Sequence, residues 1–235
     1  FVTEPVSQPD RPGRPVVHRH QDQHLWIVDK PAGLAVQGGS GLEDDLQTRV
    51  RAAIGPSASK TFRPSPAHRL DRPTSGLVMV GVSAPGLRGL NEALREHRVD
   101  KIYLALIEGN LDPTSGLIDA PLRVDDREDD GLTEVDLDGV EARTRYRVVA
   151  RGESVSAVRV VLETGRRHQI RAHFQALGHP IVGDARYDGR ARSGFGERRI
   201  ALHAERLRLD HPVTGERLDV TSPIPDEFRR LLTRR

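Results

Sequence analysis

The sequence contains no cysteine, and this absence excludes several classes of protein. Disulfide-stapled scaffolds, thiolate zinc sites and cysteine nucleophiles are all ruled out. No run of about 18 apolar residues and no signal-peptide pattern occurs either, so we expect a soluble, cytoplasmic protein without a membrane partner. With 235 residues, the chain is long enough to bury a core without covalent staples.

Lysine is also scarce. Only Lys30, Lys60 and Lys101 are lysines, so arginine supplies 33 of the 36 basic side chains. Arginine pairs bidentately with phosphate and stacks on bases, which suits RNA, although a genome that favours arginine codons explains the bias equally well. Residues 1–140 hold 16 basic and 22 acidic side chains, whereas residues 141–235 hold 20 and 12. The basic C-terminal part is therefore the expected approach surface for a polyanion.

The spacing of apolar residues predicts strands and helices that do not follow a regular βαβ order. Strands are expected at 25–30, 77–80, 101–109, 141–150, 155–164 and 202–209. Amphipathic helices are expected at 43–54, 84–99 and 166–178, with a short one from about Asp226. This order indicates an α+β fold with a mixed sheet. Residues 1–20 are rich in proline and polar groups and are predicted to be a tail or linker.

One carboxylate stands out in the turn HRLDRPTSG at residues 68–76. Pro73 and Gly76 restrict the backbone around Asp71, and an apolar strand follows at once. A turn of this kind presents a side chain rigidly to a cleft, which makes Asp71 the candidate catalytic residue. The competing interpretation is a structural aspartate, which is common in proline turns.

Three other sets of side chains are candidates for binding or catalysis. Tyr103 lies in an apolar strand, where it is either a core aromatic or a platform for a planar ligand. Arg167 and Arg171 lie four residues apart on one predicted helix face, which either is solvated or pairs with a carboxylate and phosphates. His168 and His173 lie five residues apart without an HExxH pattern, so no metal is expected.

Four long motifs together resemble the RluA-type pseudouridine synthases. They are HRLDRPTSG at 68–76, KIYLA at 101–105, TGRRHQIRAH at 164–173 and GHPIVGD at 178–184, preceded by DKPAG at 29–33. The resemblance runs from about residue 25 to the C-terminus in the order of the family. It implies one catalytic domain, residues 21–235, built on a mixed, mainly antiparallel sheet with flanking helices. It also implies an isomerase that needs neither a cofactor nor a metal.

The resemblance implies roles for individual side chains. These enzymes break the glycosidic bond of a uridine, turn the uracil and rejoin it through carbon C5. Asp71 corresponds to the essential aspartate, Arg171 to its ionic partner and Tyr103 to the ring that lies against the flipped uracil. Whether Asp71 attacks the ribose, attacks the base or removes a ribose proton stays open. The expected RNA contacts are His68, Arg69, Arg72 and Arg167, with Arg69 expected to fill the space that the flipped base leaves.

The expected substrate is RNA. The segment VQGGSG at 36–41 is most similar to family members that modify bacterial large-subunit ribosomal RNA, and transfer RNA is the alternative. Two other classes stay open, a catalytically silent RNA-binding module and a metal-dependent hydrolase that uses the histidines. Family members often carry a small N-terminal RNA-binding domain. Because only a tail of about 20 to 24 residues precedes the region of resemblance and the chain starts with Phe1, we expect that such a domain has been removed. We also expect a monomer.

Overall fold

The computed structural model describes residues 15–38, 44–55, 61–125, 131–192, 194–196 and 198–233. The strands are β1 (Val17–Gln21), β2 (Leu25–Lys30), β3 (Ser65–Pro66), β4 (Ser75–Gly81), β5 (Asp100–Glu108), β6 (Ser115–Asp119), β7 (Leu122–Asp125), β8 (Leu132–Val135), β9 (Arg143–Arg151), β10 (Val155–Leu162), β11 (Leu202–Asp210) and β12 (Arg217–Thr221). The helices are α1 (Leu46–Ile54), α2 (Ala84–Arg95), α3 (Gln169–Ala176) and α4 (Asp226–Thr233), with a short 3₁₀ helix at Ala185–Tyr187.

The chain divides into two compact units. The first unit comprises residues 1–100 and 204–226. Its strands lie in the order β1-β2-β4-β11, with β3 paired to β4 and β12 paired to β11. Leu25 and Ile27 alternate along β2 and join Leu77 and Met79 of β4 in one apolar cluster, which α2 covers with Leu90. Strand β4 is buried along its whole length, so the turn that precedes it is joined directly to the core of this unit.

The second unit comprises residues 101–203 and 227–235. Its strands lie in the order β5-β10-β9-β6, and β7 and β8 form a separate hairpin. Tyr103, Val160 and Tyr146 are in register across β5, β10 and β9, so their side chains share one face of the sheet. Helix α3 packs on that face, since the Phe174 ring meets the Tyr146 ring edge-on with centroids 6.0 Å apart.

The predicted α+β class with a mainly antiparallel sheet is confirmed, because the strand pairs with a defined register are antiparallel. The predicted tail is wrong at its C-terminal end, since Val17–Gln21 forms β1 and pairs with β2. Residues 1–14 lie outside the described part of the chain, as does most of the glycine-rich loop at 37–41. The single catalytic domain of residues 21–235 stays a prediction. Among the described helices, none has both the length and the apolar character needed to cross a membrane.

Candidate active site

The turn that carries Asp71 is closed by its own backbone and followed by an obligatory glycine. The Thr74 N–H donates to the Asp71 carbonyl at 3.0 Å, and the Asp71 side chain is half-buried. Gly76 has φ +112°, and a Cβ added there would lie 2.3 Å from the carbonyl oxygen of Ala204. Only glycine fits this close approach of two backbones, so the motif's glycine fixes where β4 begins.

A buried lysine clamps this turn to a second turn. The Lys30 side chain is fully buried, and its Nζ donates to the carbonyl oxygens of Pro31 (3.0 Å), Leu34 (2.8 Å) and Arg72 (3.2 Å). The Gly33 N–H also donates to the Arg72 carbonyl at 2.8 Å. Because Arg72 directly follows Asp71, the DKPAG turn holds the catalytic candidate's backbone in place. Hydrogen bonds to a charged donor are stronger than neutral ones, so the clamp is rigid.

The predicted RNA contacts of this turn differ in their surroundings. His68 Nε2 accepts a hydrogen bond from the Met79 N–H at 3.1 Å, which requires an unprotonated Nε2 and holds the segment against β4. Arg72 is exposed, yet its Nε donates to the Gly33 carbonyl at 2.9 Å. Arg69 is exposed as well. The contacts of all three side chains with RNA stay predictions.

In the second unit, Arg171 is held by a carboxylate that the sequence interpretation did not single out. Arg171 Nε donates to Asp184 Oδ2 at 2.7 Å and Nη2 donates to Oδ1 at 2.8 Å. The Tyr187 ring lies under the guanidinium, with Cζ 4.7 Å from the ring centroid. Both Asp184 and Tyr187 belong to the loop that begins with the GHPIVGD motif, which was the available signal. Asp184 and Tyr187 together therefore fix the position and the plane of the Arg171 guanidinium.

Tyr187 also contacts the residue that precedes α3. Its hydroxyl accepts the Thr133 N–H at 3.0 Å and lies 2.9 Å from His168 Nδ1. Burial raises the pKa of Tyr187, so the hydroxyl keeps its proton at neutral pH. His168 has φ +51° immediately before α3, where the sequence had predicted helix from residue 166. The tyrosine therefore stabilises an unusual backbone conformation at the start of the helix that carries Arg171.

The other polar residues of the α3 motif are used inside the protein. Gln169 accepts from the Thr164 hydroxyl at 2.8 Å and donates to Thr144 Oγ1 at 2.9 Å. His173 uses both ring nitrogens, with Nδ1 at 2.8 Å from Thr144 Oγ1 and Nε2 at 2.9 Å from the Ala120 carbonyl. Burial lowers the pKa of His173, which keeps the ring neutral. With both nitrogens engaged, His173 has no atom to offer a metal ion.

The second unit brings two of the candidate side chains to one side of its sheet. Tyr103 is only 6% exposed and lies on the face that α3 covers, and α3 carries Arg171. Arg167 is half-buried in the turn before α3. Asp71 belongs to the first unit, and its pairing with Arg171 stays a prediction. Besides the contacts of Asp184 and Tyr187, the role of Lys30 was not predicted from the sequence, although the DKPAG turn that contains Lys30 is one of the motifs of the resemblance.

A cluster in the first unit has the composition of a metal site. One ligand atom each from His20, Asp22 and His211 lies within 4.8 Å of the others. Asp22 Oδ2 is 2.7 Å from His20 Nε2 and 3.0 Å from His211 Nε2, the latter without hydrogen-bond geometry. His211 Nδ1 accepts the N–H groups of Val213 (3.3 Å) and Thr214 (2.9 Å), which leaves the ring proton on Nε2. Since a metal would need that nitrogen unprotonated, the cluster is better suited to holding the Asp22 carboxylate.

Comparisons with known proteins agree with these motifs. Residues 24–176 match the family model described as RNA pseudouridylate synthase. The ribosomal large subunit pseudouridine synthase C of Escherichia coli O157:H7 is 37% identical over 220 residues, which cover 91% of this chain and 68% of that protein. The Vibrio cholerae protein of the same name is 35% identical over 219 residues, covering 92% and 68%.

Solved structures of two human proteins have a similar fold. Human RNA Pseudouridylate Synthase Domain Containing 1 is 26% identical with a TM-score of 0.75, covering 93% of this chain and 87% of that chain. Human RNA Pseudouridylate Synthase Domain Containing 4 is also 26% identical, with a TM-score of 0.71 and coverage of 91% and 90%.

Proposed function

This chain belongs to the RNA pseudouridylate synthase family, and we propose that it isomerises specific uridines of large-subunit ribosomal RNA to pseudouridine. The chain is thus an isomerase. The choice of RNA is supported by one observation, the 37% identity over 91% of the chain to a relative named for the large ribosomal subunit. A ribosomal RNA substrate supports a cytoplasmic location, and we propose that the enzyme acts there as a monomer.

Asp71 is proposed as the catalytic carboxylate. Each role that remains open for it, whether nucleophile or base, needs an ionised carboxylate at a fixed position. The closed turn, the Gly76 junction and the Lys30 clamp support this role, because they hold the Asp71 backbone without relying on substrate. A preorganised group needs no rearrangement when the substrate arrives.

Arg171 is proposed as the ionic partner of Asp71, as the family resemblance implies. A guanidinium beside a carboxylate favours its charged form in a site from which water is excluded. The bidentate contact with Asp184 and the Tyr187 ring support the proposal, because they set the orientation of Arg171 within its own unit. No rotation of the arginine side chain is then needed during the reaction.

Tyr103 is proposed to stack on the uracil after the uridine leaves its base stack. Flipping a base costs a few kcal/mol, and contact with an aromatic ring offsets part of that cost. Arg69 is proposed to fill the space left behind. His68, Arg72 and Arg167 are proposed to contact the RNA around the target, where charged side chains position the backbone rather than read its sequence.

Release of hydrogen from C5 tests the proposed reaction directly, because the new carbon–carbon bond replaces the C5–H bond of uridine. Transcripts of large-subunit ribosomal RNA and of transfer RNAs, both labelled with tritium at C5 of uridine, are incubated with the protein. We expect tritium release from the ribosomal transcript, followed by mapping of pseudouridine to a few positions. Release from transfer RNA alone would favour the alternative substrate. No release from either would leave the catalytically silent RNA-binding module as the better interpretation.

A further inference from the structure

Lys101 is a partly buried cation whose role the proposed chemistry leaves unexplained. It lies near the start of β5, and burial lowers the pKa of its ammonium group. Among the described residues, the ammonium group of Lys101 makes neither a hydrogen bond nor an ion pair. Taking an ammonium group out of water without a partner costs free energy. An anionic ligand bound to Lys101 would offset this cost.

The position of Lys101 relative to Tyr103 follows from strand geometry. Alternate residues of a strand point to the same face, so Lys101 and Tyr103 share one face of β5. The register pairs Tyr103 with Val160, and α3 packs on this face of the sheet. Lys101 therefore flanks the residue that is proposed to hold the flipped uracil.

The ammonium group of Lys101 lies next to Gly165. A Cβ added to Gly165 would lie 3.1 Å from Lys101 Nζ, so the missing side chain leaves space for the ammonium group. Gly165 is exposed and stands in the TGRRHQIR motif, four residues before the first residue of α3. The ammonium group thus ends beside an exposed backbone segment, where an RNA strand can reach it.

We propose that Lys101 binds a phosphate of the RNA strand whose uridine lies against Tyr103; this rests on the proposed function of the site. Phosphate is the anionic group of RNA, and lysine binds it as a compact point charge with three donors. The phosphate gives the Lys101 ammonium group an anionic partner. Bound in this way, the strand on either side of the flipped nucleotide is fixed next to the stacking ring.

Lys101→Met tests the contact, and Arg147→Met is its matched control. Arg147 is an exposed cation on β9 of the same sheet, but its register partner is Arg159, which places it on the face opposite Tyr103. Binding to the large-subunit RNA transcript is measured between low and moderate salt for both variants and for Lys101→Arg. We expect Lys101→Met to reduce the slope of log K against log salt by about 0.7 to 0.9, the value for one lost phosphate contact. Lys101→Arg should restore the slope, and Arg147→Met should keep it.

Kinetics separate a phosphate contact from a direct part in the chemistry. We expect Lys101→Met to raise KM about tenfold, with a smaller effect on kcat, since a charged hydrogen bond is worth about 1.5 kcal/mol or more. An unchanged salt slope and KM would overturn the proposal. A loss confined to kcat would also overturn it, because it would mean that the amine acts on the reacting base. If wild-type protein releases no tritium, the proposed function fails and not this contact alone.

A neutral-backbone scan locates the phosphate. The probe is the shortest large-subunit RNA fragment that wild-type protein modifies, with one methylphosphonate linkage introduced at each position near the target in turn. One such linkage should weaken wild-type binding and leave Lys101→Met binding unchanged. If every linkage weakens both proteins equally, Lys101 contacts no phosphate. Lys101→Gln replaces the methionine variant if that variant does not fold.

Discussion

Arg171 and Asp184 form a bidentate ion pair in which both side chains are almost completely buried. The two donor–acceptor distances are 2.7 and 2.8 Å, and only 5% of the arginine side chain and 2% of the aspartate side chain are exposed. Such a pair adds little to stability compared with apolar residues of the same shape, but losing one partner leaves a buried charge. The pair therefore makes the position of α3 dependent on the loop that carries Asp184.

Asp184→Asn should be strongly destabilising. The substitution removes the carboxylate charge that pairs bidentately with the buried Arg171 guanidinium, and we expect the free energy of unfolding to fall by about 3–5 kcal/mol. Urea unfolding followed by circular dichroism measures the change. Asp219→Asn is the control, since Asp219 also pairs with arginines but is 41% exposed. The control should remain close to wild type, and an Asp184→Asn protein of wild-type stability would contradict the structural role of the pair.

Strands with apolar alternation could be predicted from the sequence, whereas polar edge strands could not. Strand β2 was expected at 25–30 and occupies those residues, because its apolar run ends at a proline turn. Strand β1 reads VHRHQ and alternates between exposed and half-buried positions, so it lacks an apolar pattern. Its order comes from pairing with β2, a contact that local sequence does not encode.

The same limit applies to the site. Local patterns made Asp71, Tyr103 and Arg171 candidate residues, and the family resemblance implied a role for each of them. Contacts that position them join residues far apart along the chain, such as Lys30 with the Arg72 carbonyl and Asp184 with Arg171. No periodicity predicts such contacts, since they depend on how the elements pack.

Asp71→Asn should abolish isomerisation while RNA binding remains. The amide has nearly the shape of the carboxylate but can neither attack carbon nor accept a proton, so we expect activity to fall by about three orders of magnitude or more. Tritium release measures activity, and filter binding of the same transcript measures affinity. Asp119→Asn, an exposed carboxylate on β6, is the control and should retain activity. Substantial activity of Asp71→Asn would remove this residue from the mechanism.

Asp22 should make the free energy of unfolding depend on pH in the acidic range. Burial alone would raise the pKa of Asp22, but hydrogen bonds from the His24 and Leu25 amides and from His20 lower it from 3.8 to about 2. A group with a lowered folded-state pKa stabilises the fold above its unfolded value and loses this contribution as pH falls through the folded value.

The comparison of Asp22→Asn with wild type tests this dependence. The asparagine keeps an oxygen for the two amides but lacks the charge, so the variant should be less stable than wild type at about pH 5. The difference should shrink as the pH falls from about 4 to about 2, where wild-type Asp22 also becomes neutral. Urea midpoints of both proteins across this range give the result. A difference that does not change with pH would mean that the carboxylate charge is unimportant.

Lys30→Met should reduce both stability and activity, because one side chain supports two turns. Removing the ammonium group leaves the carbonyl oxygens of Pro31, Leu34 and Arg72 buried without this donor, at a cost of about 1–3 kcal/mol for each group that finds no new partner. Arg72 follows Asp71 directly, so a shift of its backbone also moves the proposed catalytic carboxylate. Misplacement of about 1 Å is enough to lower a rate about 100-fold.

Arg51→Met separates the two effects of the lysine substitution. Arg51 also donates to a backbone carbonyl, that of Pro64 at 2.9 Å, but it lies in α1 and its hydrogen bonds go to Pro64 and Ser65, which precede the Asp71 turn. We expect this control to lose some stability while kcat stays near wild type. Under conditions where both variants are fully folded, Lys30→Met should still show a reduced kcat with little change in KM. Equal kcat values for the two variants would mean that Lys30 acts on stability alone, because a clamp that positions Asp71 must affect the chemical step.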